Sequence, residues 1–205
     1  MKLDVFIRNN VKVAGLLLFL AGVVALMGII TAEIYYPSGY STRDNEISDL
    51  GATRPPDSVV TQPSATIFNT TMMTTGLMIL AAVGFVHMRH RDYLASVPLA
   101  LFGMGVLGVG IFPGNVTPWH SLFAMTTFVF GGIGAVTSSR IVRGPLRYVF
   151  IAFGVIGLFC LFFSDALIPH LGDGGTERWV AYPILFWLTG LGGYILGAER
   201  PEIAG

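Results

Sequence analysis

The sequence predicts an all-α, polytopic membrane protein: a bundle of six transmembrane helices with a long first extracytoplasmic loop and both termini in the cytoplasm. Three observations carry this reading. Only 12% of the 205 residues are charged and 53% are hydrophobic, with a mean hydropathy of +0.70, whereas a soluble domain is about a quarter charged. Six segments approach the roughly 20 apolar residues needed to cross a bilayer core about 30 Å thick. Lys and Arg then divide nine to three between the two sides that these segments define, which sets the orientation.

The first segment, approximately 11–35, contains "VAGLLLFLAGVVALMGII" after Lys2, Arg8 and Lys12. Such a basic start also fits a secretory signal, but no convincing A-x-A cleavage site follows and the run is long enough to span, so it reads as a retained helix. The remaining segments are approximately 67–87, 93–112, 119–138, 146–168 and 179–197, within one integral membrane domain over 1–205. With the N-terminus inside, the inner side holds Lys2, Arg8, Lys12, Arg89, Arg91, Arg140, Arg143, Arg147 and Arg200; the outer side holds Arg43, Arg54 and Arg178. An inverted three-plus-three repeat would pair the long first loop with the short "SRIVRGPLR", and nothing matches, which argues against a common transporter fold.

The outer loop from Tyr36 to Thr66 is the longest connection, followed by the fifth, "PHLGDGGTER". The first loop is punctuated by proline yet keeps apolar anchors at Tyr40, Ile47 and Leu50, so it is expected to fold as a cap rather than trail as a tether. Small residues punctuate the helices. Gly103 and Gly108 in the third, and the GxxxG of Gly193 and Gly197 in the sixth, are expected at close helix packing; a homodimer seam through Gly193 and Gly197 is the alternative. The single cysteine, Cys160, permits no intramolecular disulfide and reads as a packing residue.

Chemistry-bearing residues gather on the outer side, which holds eight acids and two histidines against four and two inside. The expected outer pocket comprises Asn45, Ser48, Asp49, Asn69, His120, Asp165, His170 and Glu177. Each has a plainer role beside the functional one. Ser48 or Asp49 would cap a short helical turn, His120 would sit with Trp119 at the interface, and Glu177 would stabilise a first helical turn. Asn69, Thr70 and Thr74 in "FNTTMMTTG" make either a polar groove or interhelical hydrogen bonds, the latter favoured. Asp49, His120, Asp165 and His170 offer ligands that zinc accepts, but no spacing binds two of them to one helical face. No cofactor is expected. The only lysines, Lys2 and Lys12, are not embedded for a retinal Schiff base, and no histidine pair is placed for haem. Nor is there a basic patch for nucleic acid.

The ordered series "YPSGYSTRDNEISDLGA", "PSATIFNTTMMTTGLMIL", "GIFPGN", "HSLFAM" and "ERWVAYPILFWL" resembles the bacterial and archaeal membrane family catalogued as domain of unknown function 998. That family in turn looks like the eukaryotic six-helix group of damage-regulated autophagy modulators and GPI-anchor lipid-remodelling proteins, through Ile47, Ser48, Asp49 and Gly51. The resemblance implies six helices and a role close to membrane lipids, and places the chain in the plasma membrane of a prokaryote. The resulting expectation is a non-enzymatic, lipid-associated membrane protein whose outer polar pocket holds a headgroup. Its partners would be membrane lipids, with a second copy or another membrane protein as further options. The alternatives are an intramembrane lipid-modifying enzyme, with Asp49 and His120 as an acid/base pair, and a small-solute transporter or channel.

Overall fold

A computed structural model describes residues 2–198, with side chains from residue 10 onward. The described residues form six helices and no strand: α1 (Lys2–Ile34), α2 (Ser64–His90), α3 (Tyr93–Ile111), α4 (Trp119–Thr137), α5 (Leu146–Phe162) and α6 (Ser164–Ala198). Five carry a stretch long and apolar enough to cross a membrane; α5, with 17 residues, is shorter and rises about 25 Å, at the lower end of spanning lengths. The chain is an all-helical, integral membrane protein. Of the cations used above for orientation, Arg200 lies outside the described residues, and Lys2 and Arg8 are described by backbone alone.

Why these helices associate is plainest in α1. Its buried residues, Val11, Ala14, Leu18, Ala21, Ala25, Ile29 and Ala32, recur every three or four positions and make one narrow stripe. The opposite face shows Val13, Leu16, Phe19 and Val23 outward, so both faces are apolar and burial selects by size rather than polarity. A methyl group at Gly15 would meet Ile195 and the Gly192 carbonyl at 3.0 and 3.1 Å, and one at Gly22 would overlap Thr189. Gly103 and Gly108 likewise face Ile79 and Phe123 closely. Gly193 and Gly197 do not: the first meets only Phe19, at 3.8 Å, and the second nothing within 4 Å. The close seam runs through Gly192 instead, because Leu188, Leu191, Gly192 and Ile195 share the buried face of α6.

Each helix packs on its neighbours in the chain, and α6 returns to α1 to close a ring. A contact of α4 with α6 across that ring leaves α5 peripheral, so α1, α2, α3, α4 and α6 surround the interior.

The fifth span differs from the sequence reading, which carried it to Ile168 and made "PHLGDGGTER" a loop. Here α5 ends at Phe162, Phe163 turns the chain, and α6 is already under way at Ser164. Only Gly172 leaves helical dihedrals, at φ 77°. Gly174 and Gly175 stay helical because glycine there serves proximity rather than a break: a methyl group on Gly174 would lie 1.9 Å from the Asn45 carbonyl oxygen. The Gly175 amide donates to the Arg43 carbonyl at 3.0 Å. The first loop is therefore laid directly on the bend of α6.

Candidate functional site

The cap is built on a short 3-10 turn, Ser48–Leu50, whose Leu50 is buried together with the flanking Ile47 and Ala52. Its apolar side chains face down, and its backbone is tied to α2 and α6 and, through Arg178, linked to α1. The Ser64 hydroxyl at the start of α2 donates to the Leu50 carbonyl at 3.2 Å. On α6, the Ile47 amide donates to the Glu177 carboxylate, and Arg178 supplies the remaining ties. The Arg178 Nη2 donates to Glu33 Oε1 of α1 at 2.5 Å and to the Tyr40 hydroxyl at 2.7 Å. Its Nη1 lies 2.9 Å from the Thr42 carbonyl and 3.0 Å from those of Asn45 and Gly174. Tyr40 passes its own proton on to the Glu46 carbonyl at 3.2 Å. Burial pushes the Tyr40 phenol above its ordinary range, against the pull of the neighbouring guanidinium. At the rim, Arg54 reaches both oxygens of Glu46, at 3.0 and 2.8 Å. Burial raises the Glu46 carboxyl as well, which Arg54 opposes and Asp49 reinforces.

Under this cap lies a cavity. Its volume is about 70 Å³ and it is not fully enclosed, so it is narrow. From Glu177 to Leu185 along its α6 wall the depth is roughly 12 Å. The walls are hydrocarbon, with Ile29, Phe68, Phe102 and Ile184 prominent among them, and Ile47 and Ser48 of the cap contribute to the lining. Helix α5 contributes none, as its peripheral place in the ring requires.

Two polar atoms in this dry wall have no partner among the described residues: Nε2 of His120 and the hydroxyl of Thr75. Both side chains line the cavity and are buried, at 2% and 0% exposure. The His120 ring is fixed by its Nδ1, which lies 2.8 Å from the Phe112 carbonyl. Gly110 packs against Met73 and Gly76 against Leu107. That register puts Thr75 level with Gly108, about one helical turn (roughly 6 Å) deeper than Phe112.

The eight residues expected to form an outer pocket separate into three groups. His120, Glu177 and Ser48 meet at the cavity. Asn45, Asp49 and Asn69 belong to the cap and its seat: Asp49 Oδ2 accepts from the Glu46 amide at 3.1 Å and from Asn45 Nδ2 at 3.4 Å, and Asn69 lies against Gly51. Asp49 thus holds the turn, the plainer of its two readings, although it is not the N-cap. Asp165 and His170 are exposed on the first part of α6 and join neither group. Among the described residues no three His, Cys, Asp or Glu side chains converge as metal ligands.

The sequence reading missed Arg178, Glu33 and Thr75 as site members. Arg178 had a signal, being an outer-side arginine against the charge trend and next to an apolar run, with Glu33 at the matching end of the first helix. Thr75 had none, since its neighbours Thr70, Thr71 and Thr74 are indistinguishable from it in sequence.

The family described as "Protein of unknown function (DUF998)" has a model that matches residues 19–194. The chain belongs to that family. Comparison with curated proteins and comparison with solved structures returned no match, so the likeness to the eukaryotic six-helix group gains no support from them.

Proposed function

We propose that this member of a family without an assigned activity is a lipid-binding membrane protein that holds a single apolar chain in the capped cavity. The observation that carries the proposal is a narrow hydrocarbon-walled space beneath an ordered cap, with unpartnered polar atoms at His120 and Thr75 on its wall. A hydrocarbon chain gains from such walls what it would gain in the bilayer, and a polar end completes the hydrogen bonding that His120 and Thr75 lack. This revises the picture of a headgroup held by the outer acids. Glu33, Glu46 and Asp49 are already engaged by Arg178, Arg54 and backbone amides.

The charge distribution supports a cap on the outer face, and the family resemblance is the ground for proposing the plasma membrane of a prokaryote. The role is binding rather than catalysis, because no hydrogen bond joins Asp49 to His120 among the described residues and each has a structural partner of its own.

Native mass spectrometry of the purified protein, released from nanodiscs of cellular lipid, tests the proposal. Wild type carries an amphiphile or lipid adduct; Ala181→Phe, which fills the cavity, loses it, and Leu122→Ala, on an exposed face of α4, keeps it. Equal adducts on wild type and Ala181→Phe, or none on wild type, would overturn the reading.

A further inference from the structure

The chemistry of the two ends of the cavity specifies the head of the bound molecule. The Phe112 carbonyl that faces His120 Nδ1 at 2.8 Å is only an acceptor, so Nδ1 carries the proton and donates. A buried imidazole with no carboxylate in hydrogen-bond contact is held neutral by the cost of burying charge. Its second nitrogen, Nε2, then presents a lone pair to the cavity. Of the other polar groups at the capped end, the Ser48 hydroxyl donates to Glu46, and Glu177 accepts from the Ile47 amide and is the one acidic side chain in the lining. Thr75 is neutral in this respect, since its hydroxyl rotates to give or to accept. Arg178, the cation beside Glu177 in the chain, does not line the cavity, and both of its terminal nitrogens are turned to Glu33, Tyr40 and three cap or helix carbonyls.

From this arrangement of acceptors, and resting on the lipid-binding reading above, we infer that the cavity selects single-chain amphiphiles whose head donates a hydrogen bond, a hydroxyl or an amine, and rejects carboxylate and phosphate heads. A donor head satisfies His120 Nε2 directly. An amine can give a further hydrogen bond to Glu177, whereas a carboxylate or phosphate meets the His120 lone pair with no cation in the lining to offset its burial. An ester, which only accepts, finds Thr75 alone.

The test uses the full chain in nanodiscs, loaded separately with nonanol, nonylamine, nonanoic acid and methyl nonanoate, with retention read by native mass spectrometry. The alcohol and the amine are retained at least about tenfold better than the acid and the ester, the factor that one hydrogen bond to a buried acceptor supplies. His120→Phe removes the preference of alcohol over ester. Glu177→Gln, which keeps an oxygen for the Ile47 amide, lowers the amine and leaves the alcohol unchanged. Thr75→Val, a substitution of matched shape, weakens the ester more than the alcohol. Retention of all four probes alike, or an alcohol preference that survives His120→Phe, overturns the head assignment while leaving chain binding intact. Failure of every probe to bind sinks both.

Discussion

Taking a guanidinium out of water costs several kcal/mol unless a carboxylate and further acceptors replace the hydration. Arg178 meets both conditions at its two terminal nitrogens: its side chain is 10% exposed, with Glu33 beside it at 19%, and carbonyls of the cap and α6 take up the Nη1 hydrogens, leaving Nε without a partner among the described residues. The planar fork matters as much as the charge, because five acceptors from α1, α6 and the cap are held by two nitrogens in one plane. Arg178→Met should therefore lose about 3–5 kcal/mol, the cost of leaving a buried partner charge uncompensated. Arg178→Lys, which keeps the charge and not the fork, should fall between. Thermal unfolding of the purified protein measures the loss, and protease protection of the loop from Tyr36 to Pro63 locates it. The double variant Arg178→Met with Glu33→Leu should recover part, since no orphan carboxylate remains. A midpoint and a cleavage pattern unchanged in Arg178→Met would show that apolar burial of Ile47 and Leu50 alone seats the cap. In sequence this arginine stands out only as an exception to the charge rule; that it binds the Thr42 and Asn45 carbonyls, 136 and 133 positions earlier in the chain, is a tertiary fact no local pattern encodes.

At the level of elements, the bend in α6 and the cap make one joint. Gly172, with φ 77°, takes a conformation that a side chain would strain, and Gly174 lets the cap backbone lie against the helix. Gly174→Ala keeps helical propensity and even raises it, yet its methyl would overlap the Asn45 carbonyl oxygen, 1.9 Å away, so the cap must lift. Faster hydrogen exchange is expected at the cap amides around Asn45 and Ile47, with the lower part of α6 unchanged. Gly197→Ala, which meets nothing within 4 Å, should leave exchange and stability as they are, within about 0.5 kcal/mol or slightly improved. Identical exchange in the two variants would refute the joint. The same glycines explain where the sequence was legible and where it was not. Segments at 93–112 and 119–138 fall within a residue of α3 and α4, because Asp92 caps the first, accepting from the Ala95 amide at 3.2 Å, and Pro118 precedes the second. The run "HLGDGG" looks like a loop for the same reason that it is not one: glycine marks both a chain that must turn and a helix that must be approached, and only the presence of Asn45 opposite distinguishes them.

For the whole molecule, the ring of helices places the cap and the cavity at one end and the arginines that follow α2 and α4 at the other. A cavity reaching roughly 12 Å down from the cap therefore lies within the half of the bundle that bears the loop, so the proposed chain would sit at the depth of the leaflet on that side. Membrane character and helix number were readable because they rest on composition and length, which the bilayer itself dictates. The cavity was not, since hydrocarbon lining it is the same hydrocarbon that faces lipid: Phe102 inside and Phe159 outside differ only in the helix face they occupy. Which leaflet is involved follows from orientation, and the nine-to-three division of Lys and Arg predicts the cap outside. Because Cys160 is the only cysteine and is buried, Cys160→Ala gives a clean background for testing this. Asp57→Cys in the exposed part of the cap should react with a membrane-impermeant maleimide on intact cells, and Arg143→Cys, exposed at the opposite end, only after permeabilisation. The reverse pattern would invert the protein, move the cavity to the inner leaflet, and make an intracellular amphiphile its source.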